Sequence, residues 1–272
     1  MTKMMTTETT LQFEDLRAGY DDAPVLSGLS GAVPEAKITL ILGPNGCGKS
    51  TLLKALSGTL PLTVGTVSLH GQPLSSIRRT DLARALSYLP QSPIAPAGLS
   101  VFDLVARGRS PHQSFLKRWS TEDQTAVEQA LERVGLIDVA ERSVHELSGG
   151  QRQRAWIAMS LAQGSGLMFL DEPTSALDPR HQIDIFHLLQ QLRDAEGKTI
   201  VAVVHDLNIA ARFADHLILM REGQILQRGT AAEVMTQAAL QQVFDLRCHV
   251  FEDTETQSLL VAPYRRQGGA AG

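Results

Sequence analysis

Gly43-Pro44-Asn45-Gly46-Cys47-Gly48-Lys49-Ser50-Thr51 fits the pattern G-x-x-x-x-G-K-[ST] without a mismatch. It follows the apolar run Ile38-Thr39-Leu40-Ile41-Leu42 and opens the helical pattern Leu52-Leu53-Lys54-Ala55-Leu56, the strand–loop–helix setting that the pattern requires. Glycines let the backbone turn sharply and aim successive N–H groups at phosphate oxygens. The start of the helix adds partial positive charge. In such a loop Lys49 reaches the outer phosphates of a nucleotide and Ser50 ligates Mg²⁺. Alone, the stretch specifies a nucleotide and nothing narrower.

A second stretch narrows the class. Leu147-Ser148-Gly149-Gly150-Gln151 leads through Arg152-Gln153-Arg154 into an apolar stripe at Ala155, Ala158, Leu161 and Ala162. Ser148 is a good N-cap, and Gly149 and Gly150 leave the backbone N–H groups of that helix start unobstructed. The chain therefore carries a second anion-binding helix end. Leu167-Met168-Phe169-Leu170-Asp171-Glu172 reads as a buried strand that delivers carboxylates at its C-terminal end, where ligands sit in open α/β sheets. Thr199-Ile200-Val201-Ala202-Val203-Val204 reads as another buried strand, ending at His205. Gln91 follows the apolar strand Leu86-Ser87-Tyr88-Leu89-Pro90, and Pro93 and Pro96 make the next stretch irregular, as at a hinge.

In this order the motifs resemble those of the ABC transporter ATPases, from about Leu11 to Pro263. The resemblance implies an α/β P-loop NTPase core with an inserted α-helical subdomain and an N-terminal β-rich part. It implies one ATPase domain over 11–263, with 11–91 and 164–263 as the catalytic core and 92–163 as the helical subdomain carrying the signature. It implies ATP and Mg²⁺ as cofactors. ATP is held by Gly43 to Thr51 and by Ser148, Gly149, Gly150 and Gln151 of a second copy, with Tyr20 stacking on adenine. Asp171 holds Mg²⁺ through water, and Ser50 and Gln91 ligate it. Glu172 is the general base, His205 contacts the γ-phosphate, and Asp178 belongs to the D-loop Ser175-Ala176-Leu177-Asp178. Two copies close head to tail around ATP, which acts as glue because it binds the closed dimer better than the open one.

Three further stretches resemble the ATPases of ferric-siderophore, haem and cobalamin importers. They are Gly108-Arg109-Ser110-Pro111-His112, Trp119-Ser120-Thr121-Glu122-Asp123 and His181-Gln182. Asp178-Pro179-Arg180 departs from that subgroup toward the general ABC form. The resemblance implies import of a metal chelate, a ferric siderophore foremost, with haem, cobalamin or another ABC import or export substrate as alternatives. It implies integral membrane permease subunits as partners and, indirectly, a substrate-binding protein. The place implied is the cytoplasmic face of the inner (plasma) membrane, peripherally. Leu99, Val101, Phe102 and Leu104, just after Gln91, are candidates for a groove that receives a permease helix.

Composition sets bounds. The chain has 272 residues, 43% of them hydrophobic, enough for a substantial core. Its net charge of −4 and the lack of a long Lys/Arg tract argue against nucleic acid as a partner. The competing class, a soluble ABC ATPase acting on nucleic acid or the ribosome, usually carries paired nucleotide domains or coiled-coil insertions. This chain has one set of motifs and no heptad run. No apolar stretch approaches the ~20 residues of a membrane helix, and Met1 to Thr7 lacks a signal peptide's apolar run. Cys47 and Cys248 make no disulfide framework. Cys47 lies among helix-terminal amides, a setting that lowers thiol pKa, so ready alkylation and protection by ATP are expected. Ser100/Asp103, Ser120/Asp123 and Thr230/Glu233 mark helix starts, and Gly135 and Gly197 mark stops. The ends, 1–10 and 264–272, are expected to be disordered.

Overall fold

The computed structural model describes residues 9–21, 23–113 and 119–264. β1 (Thr9–Tyr20) and β2 (Ala23–Pro34) form a long antiparallel hairpin. β3 (Ile38–Leu42) is buried at every position and feeds the glycine loop and α1 (Lys49–Leu56). β4 (Val64–Leu69) and β5 (Gln72–Pro73) return beside β1, giving an antiparallel sheet of order β2-β1-β4-β5. α2 (Arg79–Ala85) leads into β6 (Leu86–Leu89). Helices then take over: α3 (Val101–Ala106), α4 (Thr121–Arg133) and α5 (Gly149–Ala162). Beyond them come β7 (Leu167–Asp171), α6 (Pro179–Glu196), β8 (Thr199–Val203), α7 (Leu207–Phe213), β9 (His216–Arg221) and β10 (Gln224–Gly229). Two short helices, α8 (Ala231–Val234) and α9 (Gln237–Phe244), precede a hairpin of β11 (Cys248–Glu252) and β12 (Leu259–Pro263).

The second sheet has the order β10-β9-β3-β8-β7-β6 and is parallel except at β9/β10. β3, β7 and β8 are buried along their whole length, as strands covered on both faces must be. Their C-terminal ends lie side by side; the glycine loop and His205 follow β3 and β8 there, and the two acids stand at the end of β7. The predicted caps form. Ser120 with Asp123, Ser148 with Gln151 and Thr230 with Glu233 make reciprocal capping boxes, and α6 ends at Gly197 with φ 64°. Among the described residues no helix is long and apolar enough to cross a membrane.

Two of the importer-like stretches meet in one structural staple. Arg109 donates from Nε to Asp123 Oδ1 (2.9 Å) and from Nη1 to the Ala162 carbonyl (2.8 Å). His112 Nε2 donates to the Gln163 carbonyl (2.8 Å). Gly108 lies so close to α5 that an added Cβ would stand 2.1 Å from the Met159 carbonyl oxygen. Gln163 in turn donates to the Leu86 carbonyl (2.7 Å), fastening the end of α5 to β6.

Two expectations change. Thr9 and Thr10 belong to β1 rather than to a tail; Thr10 is buried and shares a hydrogen bond with Thr199 (3.2 Å). Tyr264 stacks on His249, centroids 4.5 Å apart. The remainder of the two expected tails, 1–8 and 265–272, lies outside the described residues. Val101 and Leu104 are fully enclosed in the hydrophobic core and line no groove, because α3 turns them onto α4 and α5. Leu99 and Phe102 are partly buried against the same core, and Phe102 meets Trp119 at 6.1 Å between ring centroids.

Candidate active site

The glycine loop joins β3 to α1, and its shape depends on specific glycines. Gly48 caps α1 at φ 101°, where an L side chain is strained. A Cβ on Gly43 would fall 2.3 Å from the Met220 carbonyl oxygen and 2.6 Å from Cys47 Sγ. Lys49 is buried and folds back over the loop, donating to the carbonyls of Gly43 (2.9 Å) and Pro44 (3.0 Å). Ser50 Oγ donates to Asp171 Oδ1 at 2.8 Å. Beside the loop opens a cavity of about 690 Å³ whose walls include Asn45, Gly46, Thr51, Gln91, Glu172 and His205.

Both acids stand at the end of β7. Asp171 is buried, and burial pushes its carboxyl up; the hydrogen bonds from Ser50 and from the Tyr88 hydroxyl (3.2 Å to Oδ2) oppose this without cancelling it. Glu172 has φ 51°, a left-handed conformation uncommon outside glycine and costly to hold. Its carboxylate is met from two different elements. His205 Nε2 lies 2.7 Å from Oε1, and Gln91 Nε2 donates to Oε2 (2.7 Å). Two residues far apart in sequence thus converge on one side chain at the mouth of the glycine loop.

Other predicted residues stand apart from that cavity. Ser148 accepts from Gln151 N (3.3 Å) at the start of α5, and with Gly149 and Gly150 it lines no part of the cavity beside Lys49. A Cβ on Gly150 would meet the His181 ring at 2.8 Å. Asp178 caps α6 by accepting from His181 N (3.1 Å) and His181 Nδ1 (2.7 Å); these bonds hold its carboxyl below the usual range. Gln182 donates to the carbonyls of Thr174 (3.1 Å) and Leu177 (3.0 Å), fixing the turn between Glu172 and Asp178. Tyr20 is 44% exposed, with the Lys54 ammonium 5.7 Å from its ring centroid.

Cys47 corrects an expectation. It is only 5% exposed, and burial pushes its thiol up, outweighing the Lys49 charge and the nearby amides. The sequence displays those amides but not the cover from the β9–β10 turn, where Gly223 N–H donates to the Cys47 carbonyl (3.0 Å). We therefore expect iodoacetamide to label Cys47 slowly in the native protein at neutral pH, and rapidly only after unfolding. Mass spectrometry of the tryptic peptide checks this; fast native labelling would contradict the burial. Tyr88 is a site neighbour that sequence reading passed over. Its signal is a hydroxyl within an apolar strand, which needs a polar partner when buried.

The residues present fit Mg²⁺. The Asp171 carboxylate and Ser50 hydroxyl are hard oxygen donors, already 2.8 Å apart. Among the described residues there is no cluster of three or more His, Cys, Asp or Glu that could hold a metal ion. Mg²⁺ needs none, since it is usually held by one or two carboxylates together with substrate phosphates and water.

Fold and site together define a P-loop nucleotide hydrolase with a helical insertion. The ABC transporter family profile matches residues 26–175. The chain is 45% identical to the iron(3+)-hydroxamate import ATP-binding protein FhuC of Bacillus subtilis (strain 168), across 93% of this chain and 94% of that protein. It is 44% identical to the ferric enterobactin transport ATP-binding protein FepC of Escherichia coli (strain K12), across 94% of each. The solved ADP conformation of MJ1267, an ATP-binding cassette of an ABC transporter, superposes with a TM-score of 0.79 at 27% identity, covering 88% of this chain and 99% of that one. The chain belongs to the ABC transporter family and is one of its ATP-binding, ATP-hydrolysing subunits.

Proposed function

We propose that this chain drives uptake of a ferric siderophore through separate integral membrane permease subunits, by ATP-dependent closure of two copies head to tail. The observation that carries the hydrolytic part is the Glu172 carboxylate, held by Gln91 and His205 beside Lys49 and Ser50. The substrate class rests on relatives at 45% and 44% identity whose names are those of iron-chelate import and transport proteins. A substrate-binding protein delivers the chelate to the permease, and this subunit works peripherally at the cytoplasmic face of the inner membrane. One ATPase domain spans 11–263, and 92–163 acts as its moving part.

The amides of the loop and Lys49 bind the phosphates; Lys49 releases the Gly43 and Pro44 carbonyls to do so. Ser50, Asp171 and Gln91 hold Mg²⁺, which when bound neutralises charge on the phosphate oxygens. Gln91 leaves Oε2 when it turns to Mg²⁺, which gives the attacking water fuller access to that oxygen as proton acceptor. Gln91 stands where β6 gives way to the irregular stretch before α3, so this release is tied to movement of the helical part. His205, 2.7 Å from the other oxygen, keeps it aligned and contacts the γ-phosphate when ATP is bound. That Ser148, Gly149, Gly150 and Gln151 line no part of the cavity beside Lys49 supports a signature that serves the partner copy's ATP. Asp178 then lies at the junction of the copies, and Tyr20 offers its exposed ring to adenine.

Deleting this protein from its host is expected to abolish uptake of radioiron-labelled siderophore. Wild type should restore it and Glu172→Gln should not. Unchanged uptake in a strain without another ATPase of this kind would overturn the substrate reading, and loss of export of another compound would favour an exporter.

A further inference from the structure

The strand that leads to Gln91 governs both acids. In the parallel ladder of β6 and β7, Tyr88 lies opposite Phe169 and Leu89 opposite Leu170. One step beyond, Tyr88 donates its hydroxyl to Asp171 Oδ2 (3.2 Å), and Gln91 donates to Glu172 Oε2 (2.7 Å). Residues three apart on one strand end thus take hold of consecutive carboxylates on its neighbour.

We propose that Tyr88 is a positioning residue for the metal-binding carboxylate, fixing the orientation of the Asp171 carboxylate plane so that one oxygen stays directed at Ser50. The inference rests on the reading that Asp171 and Ser50 hold Mg²⁺. A carboxylate held by one donor can pivot about its terminal torsion, which is soft. Asp171 has a donor on each oxygen, Ser50 on Oδ1 (2.8 Å) and Tyr88 on Oδ2. The two donors differ in how they are mounted. Ser50 sits at the start of α1, next to the loop that must rearrange around phosphates. Tyr88 is set in a ladder strand, its ring partly buried against the apolar cluster under the sheet. Its hydroxyl can therefore hold Oδ2 in place while the loop moves, leaving Oδ1 directed at Ser50 and at the place where a cation and its water would sit. Partners of this outer kind orient metal ligands, and their loss typically weakens metal affinity by about 10–100-fold. Tyr88 is tied to the moving part as well, since Gln163 at the end of α5 donates to Leu86 on the same strand.

The test compares the purified full chain with Tyr88→Phe, which removes the hydroxyl and keeps the ring, and with Asp171→Asn. Mn²⁺ serves as the probe cation, titrated with ATP present and read by electron paramagnetic resonance. ATP affinity is measured separately with chelator and no divalent cation, and melting temperature reports the fold. We expect Tyr88→Phe to bind Mn²⁺ about 10-fold more weakly, with metal-free ATP affinity unchanged. Wild-type Mn²⁺ affinity in Tyr88→Phe, beside its loss in Asp171→Asn, would overturn the inference and leave the metal reading standing. An equal loss of metal-free ATP affinity in Tyr88→Phe would make the tyrosine a packing residue and also overturn it. Retained Mn²⁺ affinity in Asp171→Asn would remove the metal reading itself, and the inference with it.

Discussion

Glu172→Gln should bind ATP as the wild type does and turn it over about 10²–10⁴-fold more slowly, the range for loss of a positioned general base. The affinity half follows from the location of the phosphate-binding groups. The loop amides and Lys49 belong to β3, α1 and the turn between them, and Glu172 contributes nothing to their shape. The rate half follows from proton chemistry. A carboxylate accepts on both oxygens; an amide accepts on one and presents a donor at the other. Gln91 donates to one Glu172 oxygen and His205 Nε2 lies 2.7 Å from the other, so the variant keeps the Gln91 bond only with its amide nitrogen toward His205, where a charged imidazolium would repel it. The variant side chain is therefore both a poor base and a displaced one. Because ATP is no longer consumed, the ATP-bound dimer should accumulate. Size-exclusion chromatography with ATP and Mg²⁺ should show a dimer peak that the wild type loses with time. Turnover within a few-fold of wild type would take Glu172 out of the role of base.

Legibility in the sequence followed how local each constraint is. β3, β7 and β8 are unbroken apolar runs ending in polar residues, and a fully buried strand ending in an open α/β sheet must look like that. Capping boxes span four residues and are equally plain, as at Ser120 and Thr230. The burial of Cys47 was hidden because its neighbour Gly223 lies in the β9–β10 turn, far along the chain. The Tyr88–Asp171 contact was hidden for the same reason: it depends on β6 lying beside β7, an order decided by the whole sheet. The hairpin of β11 and β12 left little trace, since its mixed polar and apolar residues show no clear alternation and its partners are α7 and α9. Arg109 and Asp123 were visible as separate marks of an importer subgroup. Their common purpose, one ion pair, emerges only when the 107–112 turn after α3 comes beside the start of α4.

That ion pair should be the most costly single contact to break in the helical part. The Asp123 side chain is 2% exposed and that of Arg109 11%. Removing one partner of a buried pair leaves the other charged and desolvated, at about 3–5 kcal/mol. Arg109→Ala also strips the Ala162 carbonyl of its Arg donor at the end of α5. At about 2–4 °C per kcal/mol for domains approaching this size, the melting temperature should fall by roughly 10 °C. Replacing both charges, as in Arg109→Met with Asp123→Leu, should recover much of the loss, because no unpaired charge then remains. Acid should act like the single substitution. Burial would raise the Asp123 carboxyl, but the bonds from Arg109 and Ser120 outweigh it and hold the group below the usual carboxylate range. A depressed folded-state pKa means the unfolded chain binds the proton more tightly, so the contribution is present in full above about pH 4 and is lost as pH falls through the folded value. In Arg109→Ala that contribution should shrink and the fall in stability between neutral pH and pH 3 should be shallower. The functional stake lies in α5, which carries the signature at its start and is fastened at its end by Arg109, His112 and Gln163. A helix held at one end can transmit a displacement to the other; loosened, it cannot. Calorimetry of the two variants across pH decides the matter, and a loss below about 1 kcal/mol in Arg109→Ala, the range of exposed pairs, would show that the pair is not the staple described.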